Sequence, residues 1–164
     1  MNPLNTPRSL GVLAVTGLLT LALFASPLVC ADDAVDLTAV KSAIALYKQS
    51  LETLDATKAS PLFTADSQVF ESGGVEGTYA HYLEHHIGPE LAEFREFTYR
   101  DYNLEVRLDL PFALVTESYI YRIVVKADGR DVERQGVTTS VLKKVNGQWK
   151  FLQTHSSSRA LPRK

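Results

Sequence analysis

Hydrophobic and polar positions divide the chain into a helical first part and a strand-rich second part. Between residues 36 and 53, apolar side chains recur every three or four residues, which predicts an amphipathic helix. Shorter stretches, separated by glycine and proline, predict a helix at 56–63, a strand at 67–71, a helix at 77–86 that Gly88-Pro89 stops, and a further turn at 90–94.

From residue 96 onward, apolar and polar side chains alternate with the period of two that is typical of strands. The alternation predicts four strands, at 96–108, 113–126, 130–144 and 148–157. Turn-forming residues separate them, and Asn146-Gly147 is the clearest hairpin signal. Helices followed by strands predict an α+β domain in which two or three helices cover one face of an antiparallel sheet. A curved sheet wrapped around those helices would leave a concave cavity, where ligand sites are common.

The last strand carries polar side chains at its end. A strict period of two would place Trp149, Phe151, Gln153, His155 and Ser157 on one face. We therefore expect the sheet to end in His155 and Ser157 on the face of Trp149.

The first 31 residues have the pattern of a secretory signal peptide. Arg8 is followed by an apolar run at 10–25, and Val29-Cys30-Ala31 offers small residues for cleavage before Asp32. The uncharged span is also long enough to act as an uncleaved membrane anchor, which is the alternative. Cleavage predicts a periplasmic or secreted protein with one domain, residues 32–164, no cysteine and no stable membrane span.

Charge and motif content exclude several classes of function. The formal net charge is −2 for the whole chain, and Arg8 is the only charged side chain before Asp32. The mature chain is therefore mildly acidic and has no long basic run, which argues against nucleic-acid binding. It also lacks a glycine-rich phosphate loop, a nucleophile elbow and a cysteine–histidine pair.

Four segments of the sequence carry a resemblance to a known family. The segments are LFTADSQVFESGGVEGTYAHYL, ALVTESYIY, the DGR hairpin and GQWKFLQTHSSS. In their order and spacing they resemble the nuclear transport factor 2-like superfamily, within it the SnoaL-like proteins and the association domain of calcium/calmodulin-dependent kinase II. The resemblance implies a cone-shaped α+β domain, a pocket inside the cone and a homodimer formed through the sheet. Members of the superfamily include isomerases, dehydratases, polyketide cyclases and non-catalytic binding or assembly modules.

Two glutamates are candidate catalytic residues. Glu117 lies between Val115 and Tyr119 on one strand face, an apolar setting that would favour the protonated carboxyl group. If that face is convex, Glu117 would instead pair with a cation such as Arg122 or Lys150. Glu71, at the end of the short strand, has the same two interpretations. The resemblance implies that an acid near the pocket transfers a proton, with His155 or a tyrosine as its partner.

Histidines provide a separate hypothesis. His81 and His85 are four residues apart on the predicted 77–86 helix, so they could hold one metal ion, with His155 as a third ligand. Three imidazole nitrogens would suit zinc or copper. The alternative is that this helix face is a solvated surface, which the neighbouring Glu84 favours.

The remaining candidates are ligand-binding residues. In the kinase association domain, arginine and histidine receive a small carboxylate, and the resemblance implies the same role for Arg159 with His155. The alternative is that Arg159 begins a basic tail. Other candidates for the pocket are Tyr79, His86, Tyr119 and Ser157. The sequence thus predicts a secreted domain that binds a small organic ligand, with cofactor-free isomerase, dehydratase or cyclase chemistry as its enzymatic form. A zinc- or copper-binding protein and a non-catalytic dimeric assembly module are the alternatives.

Overall fold

The computed structural model describes residues 31–162, which form helices and one six-stranded sheet. The first helix, α1, spans Ala31–Glu52, and a 3₁₀ helix follows at Ala56–Leu62. The second helical segment consists of α2 (Tyr79–Tyr82), a π-helix (Leu83–Ile87) and α3 (Gly88–Ala92). The strands are β1 (Phe63–Glu71), β2 (Gly74–Gly77), β3 (Phe94–Asp109), β4 (Phe112–Val125), β5 (Asp131–Val145) and β6 (Gln148–Ala160). Within residues 31–162, no helix has the length and apolar character needed to cross a membrane.

The six strands form one curved, unclosed sheet in the order β2-β1-β6-β5-β4-β3. Neighbouring strands are antiparallel except β1 and β6, which run parallel. The predicted α+β class and the four C-terminal strands are confirmed. Strand β2 was not predicted, because its four residues begin and end with glycine and carry no alternation signal.

The helices pack against the concave face of the sheet, and α1 contributes most of the contact. Val40 and Ile44 of α1 meet Leu142 and Phe151 of the sheet in a core where each side chain is at most 1% exposed. Full burial of such a side chain stabilises a fold by roughly 1.5–3 kcal/mol. The N-terminal end of α1 is anchored by Asp36, which accepts hydrogen bonds from the Trp149 indole (3.0 Å) and the Lys144 ammonium (2.9 Å).

The second helical segment continues through the point where the sequence predicted a stop. Pro89 occupies the first turn of α3, where a missing backbone N–H costs nothing. The π-helix joins α2 to α3, and the Gly88 N–H donates to the Leu83 carbonyl. A Cβ on Gly88 would lie 2.3 Å from that carbonyl oxygen, so glycine permits the wide turn. The predicted stop at Gly88-Pro89 is therefore wrong, and His85 and His86 lie inside a continuous helical segment.

A β-bulge in β6 reverses which side chains face the helices. Val141 of β5 pairs with Gln153 and Leu142 pairs with Phe151, so Leu152 is an extra residue. Trp149 and Phe151 are buried before the bulge, whereas after it Thr154 is buried and His155 and Ser157 are exposed. The prediction that His155 and Ser157 share the face of Trp149 is wrong, because the bulge breaks the period of two.

A second bulge lies in β3. Arg100 pairs with Ile120 of β4 and Asn103 with Ser118, which leaves Asp101 and Tyr102 opposite a single residue. Asp101 has a φ of +51°, a left-handed conformation that aspartate tolerates better than most residues. As a result, Tyr102 lies on the concave face with Glu117, to which it hydrogen-bonds.

Candidate functional site

A cavity of about 330 Å³ lies between the concave face of the sheet and the helices. This volume is at the lower end of the roughly 300–1,000 Å³ that is typical of small-molecule sites. Tyr47, Lys48 and Leu51 of α1 form one wall, and Tyr82 and Ile87 of the second helical segment contribute another. Strands β1, β3, β4, β5 and β6 form the floor. The cavity therefore has both aromatic and polar or charged side chains on its helical side and along the sheet.

Four polar side chains form one cross-strand row on this floor. Glu71 of β1 pairs with Ser156 of β6, Ser156 pairs with Thr138 of β5, and Thr138 pairs with Glu117 of β4. All four line the cavity. The row places one carboxyl group at each end and two hydroxyl groups between them, so a ligand can reach both acids.

Glu117 faces the cavity and is only 6% exposed. Its Oε2 accepts a hydrogen bond from the Tyr102 hydroxyl at 2.5 Å. Burial raises the pKa of Glu117, and the hydrogen bond from Tyr102 and the charge of Lys48 partly offset that rise. The alternative that Glu117 lies on a convex face and pairs with Arg122 or Lys150 is wrong, because both of these cations bind other groups.

Lys48 is a cation on the cavity wall near Glu117. Its Nζ lies 2.8 Å from Glu52 Oε1, one helical turn further along α1. The same Nζ lies 5.2 Å from the centroid of the Tyr99 ring and 5.6 Å from that of Tyr102. Lys48 is thus held between a carboxylate and two aromatic rings.

His86 lies behind the cavity wall among three carboxylates. Its Nδ1 donates to Glu76 Oε2 at 2.9 Å, and its Nε2 lies 3.3 Å from Glu90 Oε1 and 4.0 Å from Glu71 Oε2. Burial alone would lower the pKa of His86, but the hydrogen bond to Glu76 and the other two negative charges raise it overall. Glu71 also accepts a hydrogen bond from the Tyr82 hydroxyl at 2.5 Å. Glu71 and Glu90 line the cavity, whereas His86 does not.

Two of the predicted ligand-binding residues border the cavity and one lies in the core. The Tyr119 hydroxyl is 2.7 Å from Thr138 Oγ1, and burial raises the pKa of Tyr119 to about 12. Ser157 also borders the cavity, although the β6 bulge leaves this residue exposed. Tyr79 is 2% exposed, stacks on Phe63 and donates its hydroxyl to the backbone of the 3₁₀ helix. The structure thus places Tyr79 away from any ligand, because its ring fills the core.

His155 and Arg159 lie on the outer face of β6, where the bulge has turned them. The His155 ring packs edge-on against Phe70, and Arg159 donates to the side chain of Gln135. Neither residue lines the cavity, so the expected pairing of His155 with Glu117 and the expected carboxylate site at Arg159 are corrected.

Arg134 was not predicted as a site residue, yet its guanidinium group lines the cavity. Arg134 Nε donates to Ser158 Oγ at 2.8 Å and Nη2 donates to the Ser158 carbonyl at 3.0 Å. In residues 31–162 it forms no ion pair with a carboxylate. Arg134 is four residues before Thr138 on β5, so the alternation of that strand alone would have placed both on one face.

The three histidines that were predicted to bind one metal ion do not share a site, because His155 lies away from His81 and His85. His81 and His85 lie side by side on the exposed surface of the second helical segment, with ring centroids 4.5 Å apart. His81 Nδ1 donates to the Glu76 carbonyl at 2.9 Å, and His155 lies on the outer face of β6. Between residues 31 and 162, no group of three His, Cys, Asp or Glu side chains is placed to hold a metal ion.

A family model supports the resemblance noted in the sequence. The model of the SnoaL-like domain matches residues 40–161, which include both walls and the floor of the cavity. The chain belongs to the SnoaL-like domain family. A comparison of this SnoaL-like domain with curated protein sequences finds no match.

Solved structures share the fold of this SnoaL-like domain at low sequence identity. A nuclear transport factor 2-like superfamily protein from Salmonella enterica serovar Typhimurium is 18% identical, with a TM-score of 0.71 over 79% of this chain and 95% of that chain. A hexachlorocyclohexane dehydrochlorinase from Novosphingobium barchaimii is 12% identical, with a TM-score of 0.68 over 80% and 91%. A Xanthomonas campestris structure described as a calcium/calmodulin-dependent protein kinase II association domain is 22% identical, with a TM-score of 0.60 over 76% and 87%. At these identities, the likeness establishes the fold and leaves the activity to the site.

Proposed function

We propose that this SnoaL-like domain binds a small organic molecule in its cavity and that Glu117 exchanges a proton with it. The observation that carries the proposal is the setting of Glu117, a buried carboxyl group that faces the cavity and has a raised pKa. A general acid or base is most effective when its pKa lies near the working pH, and burial moves a carboxyl group in that direction.

The chemistry that fits this setting begins at a carbon atom next to a carbonyl group. Ionised Glu117 takes a proton from that carbon, and the electron pair moves to the carbonyl oxygen. Hydroxyl and guanidinium donors that face the cavity, Tyr119 and Arg134, can stabilise the negative charge on that oxygen. Protonated Glu117 then returns the proton, which yields exchange or isomerisation, or a leaving group departs and yields elimination. A fold shared with a protein named a dehydrochlorinase is consistent with such chemistry.

Binding is tested with 2-tetralone, a small aromatic ketone with acidic C–H groups, by ligand-observed NMR. Replacing Ile123, which lines the cavity on β4, with tryptophan fills the cavity and is expected to weaken binding at least tenfold. The control is Leu114→Trp, because Leu114 is 43% exposed on the outer face of the same strand. Equal binding by both variants would contradict a ligand site in the cavity.

Proton transfer is tested by incubating the protein with 2-tetralone in D₂O and following loss of the C–H signals. The Glu117→Gln variant is expected to retain the affinity for 2-tetralone but to slow exchange by at least about a hundredfold, the usual contribution of a general base. Exchange that is equally fast in Glu117→Gln would remove the catalytic part of the proposal. If the unmodified protein binds 2-tetralone but does not exchange its C–H protons, ligand binding remains as the function and proton transfer is removed.

A further inference from the structure

Carboxylates at the helical end of the cavity outnumber the cations that contact them. Glu71 and Glu90 line the cavity, and Glu76 lies behind them. In the described part of the chain, His86 is the one basic side chain within 4.0 Å of these three carboxylates. Negative charge therefore remains in excess even when His86 is protonated. Burial raises the pKa of Glu90, the charge of His86 opposes that rise, and weaker repulsion from Glu71 and Glu76 adds to it.

The two other cations of the cavity are held elsewhere. Lys48 forms its ion pair with Glu52, and Arg134 directs two of its donors to Ser158. Neither lies within ion-pair distance of Glu71 or Glu90. The excess negative charge is thus not neutralised by a side chain that lines the cavity.

The aromatic ring of Tyr82 lies beside the carboxylates of Glu71 and Glu90 at this end of the cavity. Tyr82 donates its hydroxyl to Glu71, and its ring centroid lies 5.2 Å from that of His86. Aromatic faces next to carboxylates attract organic ammonium groups. The cavity already contains one such arrangement, because the Lys48 ammonium lies over the rings of Tyr99 and Tyr102.

We propose that the ligand carries a basic amine, which binds as an ammonium ion beside Glu71 and Glu90 with Tyr82 against it. This inference rests on the proposed function, since it assigns the chemical class of the molecule in the same cavity. The amine nitrogen donates to the carboxylate oxygens, and the rest of the ligand extends along the row of Ser156 and Thr138 toward Glu117.

The cross-strand row also separates the amine from the reacting atom. Glu71 and Glu117 lie three strand spacings apart in the sheet, and each spacing is about 4.8 Å in the direction across the strands. A ligand that reaches both acids therefore has several bonds between its amine and the carbon that exchanges a proton. This excludes compounds in which the amine is attached to the reacting carbon.

The test compares two probes with the same phenylethyl skeleton, 2-phenylethylamine with its ammonium group and 2-phenylethanol with a neutral hydroxyl group, by calorimetry and ligand-observed NMR at pH 7. The amine is expected to bind at least tenfold more tightly than the alcohol. Glu71→Gln is expected to lower the affinity for the amine to about that for the alcohol, because the glutamine carries no charge although its oxygen can still accept the Tyr82 hydrogen bond. The control is Glu84→Gln, which removes the same charge from a side chain that is 75% exposed outside the cavity.

The outcomes separate this inference from the proposed function. Equal binding of the two probes, or an amine advantage that survives in Glu71→Gln, would overturn the amine site while the cavity remains a ligand site. If Glu84→Gln removes the tighter binding of the amine as completely as Glu71→Gln does, the preference comes from the net charge of the protein. That result would also overturn the amine site. If Ile123→Trp leaves binding of both probes intact, the cavity itself is not the site and both proposals fail.

Discussion

At the scale of single residues, Glu117 connects the stability of the fold to its proposed chemistry. Burial raises the pKa of Glu117 above its value in the unfolded chain, so the folded state binds this proton more tightly than the unfolded state does. Above the pKa of the folded state, ionised Glu117 therefore destabilises the fold. Tyr102 and Lys48 reduce this cost without removing it.

Replacing Glu117 by glutamine should therefore stabilise the protein in a pH-dependent manner. At pH 8, we expect the free energy of unfolding of Glu117→Gln to exceed that of the unmodified protein by about 1 kcal/mol, a typical size for a single substitution. The difference should shrink as pH falls and disappear near pH ~4, where an unfolded glutamate also becomes protonated. Urea unfolding at several pH values measures this difference in the free energy of unfolding. The control is Glu105→Gln, because Glu105 is an exposed residue of β3. A difference that is independent of pH would contradict the argument.

The candidate site was predictable from the sequence where strand alternation is uninterrupted. Alternation on β4 indicated that Glu117 shares a face with Val115 and Tyr119, and all three face the helices. His155 and Arg159 follow the β6 bulge, and no residue near Leu152 signals that bulge. Their positions could not be predicted from a period of two.

At the scale of elements, the pairing of β4 with β5 shapes the cavity floor. Tyr119 pairs with Gly136, and a Cβ on Gly136 would lie 2.3 Å from Tyr119 Cε2. The glycine lets the tyrosine ring lie flat across the neighbouring strand, where its hydroxyl reaches Thr138. The sequence indicated both strands but not this contact, because it depends on which residues become cross-strand neighbours.

Gly136→Ala should destabilise the protein by about 1–3 kcal/mol, the usual cost of overpacking a filled site. The same substitution in a Tyr119→Ala background should cost much less, because the clashing ring is gone. Urea unfolding of the four proteins forms a double-mutant cycle that isolates the contact. An equal loss of stability in the two backgrounds would show that Gly136 is required for its backbone conformation and not for the space that the Tyr119 ring occupies.

Element boundaries were predictable to different degrees for physical reasons. The four C-terminal strands alternate over many residues and are separated by turn residues, so their bounds follow from the sequence. The break predicted at Gly88-Pro89 relied on local preference, and the π-helix overrides it. The parallel pairing of β1 with β6 is a property of the whole sheet, which local patterns do not contain.

At the scale of the whole molecule, the outer face of the sheet is where a second copy is expected to bind. Leu114 of β4 and Val137 of β5 are each 43% exposed on this face. We predict a homodimer formed through it, and Leu114→Lys combined with Val137→Lys should yield a monomer because two buried ammonium groups would be unpaired. Sedimentation velocity measures the mass, with Val75→Lys on β2 as the control, since Val75 is 79% exposed at the opposite end of the sheet. An unmodified protein that sediments as a monomer would contradict the prediction.

The predicted signal peptide, residues 1–31, lies outside the described residues except for Ala31. Cleavage before Asp32 therefore stays a prediction, as does the periplasmic or secreted location. Such cleavage is compatible with the fold, because Asp36 and Val40, which attach α1 to the sheet, follow the cleavage point.

The parallel pairing of β1 with β6 also determines the order in which the protein can be completed during synthesis. The β1–β2 hairpin can form early from neighbouring residues, but within residues 31–162 β1 joins the other strands of the sheet through β6 alone. Contacts between such distant segments form slowly, because a long loop must close first. A nascent chain therefore has no complete cavity floor until β6 has left the ribosome, so a chain that stops before β6 cannot form the ligand site.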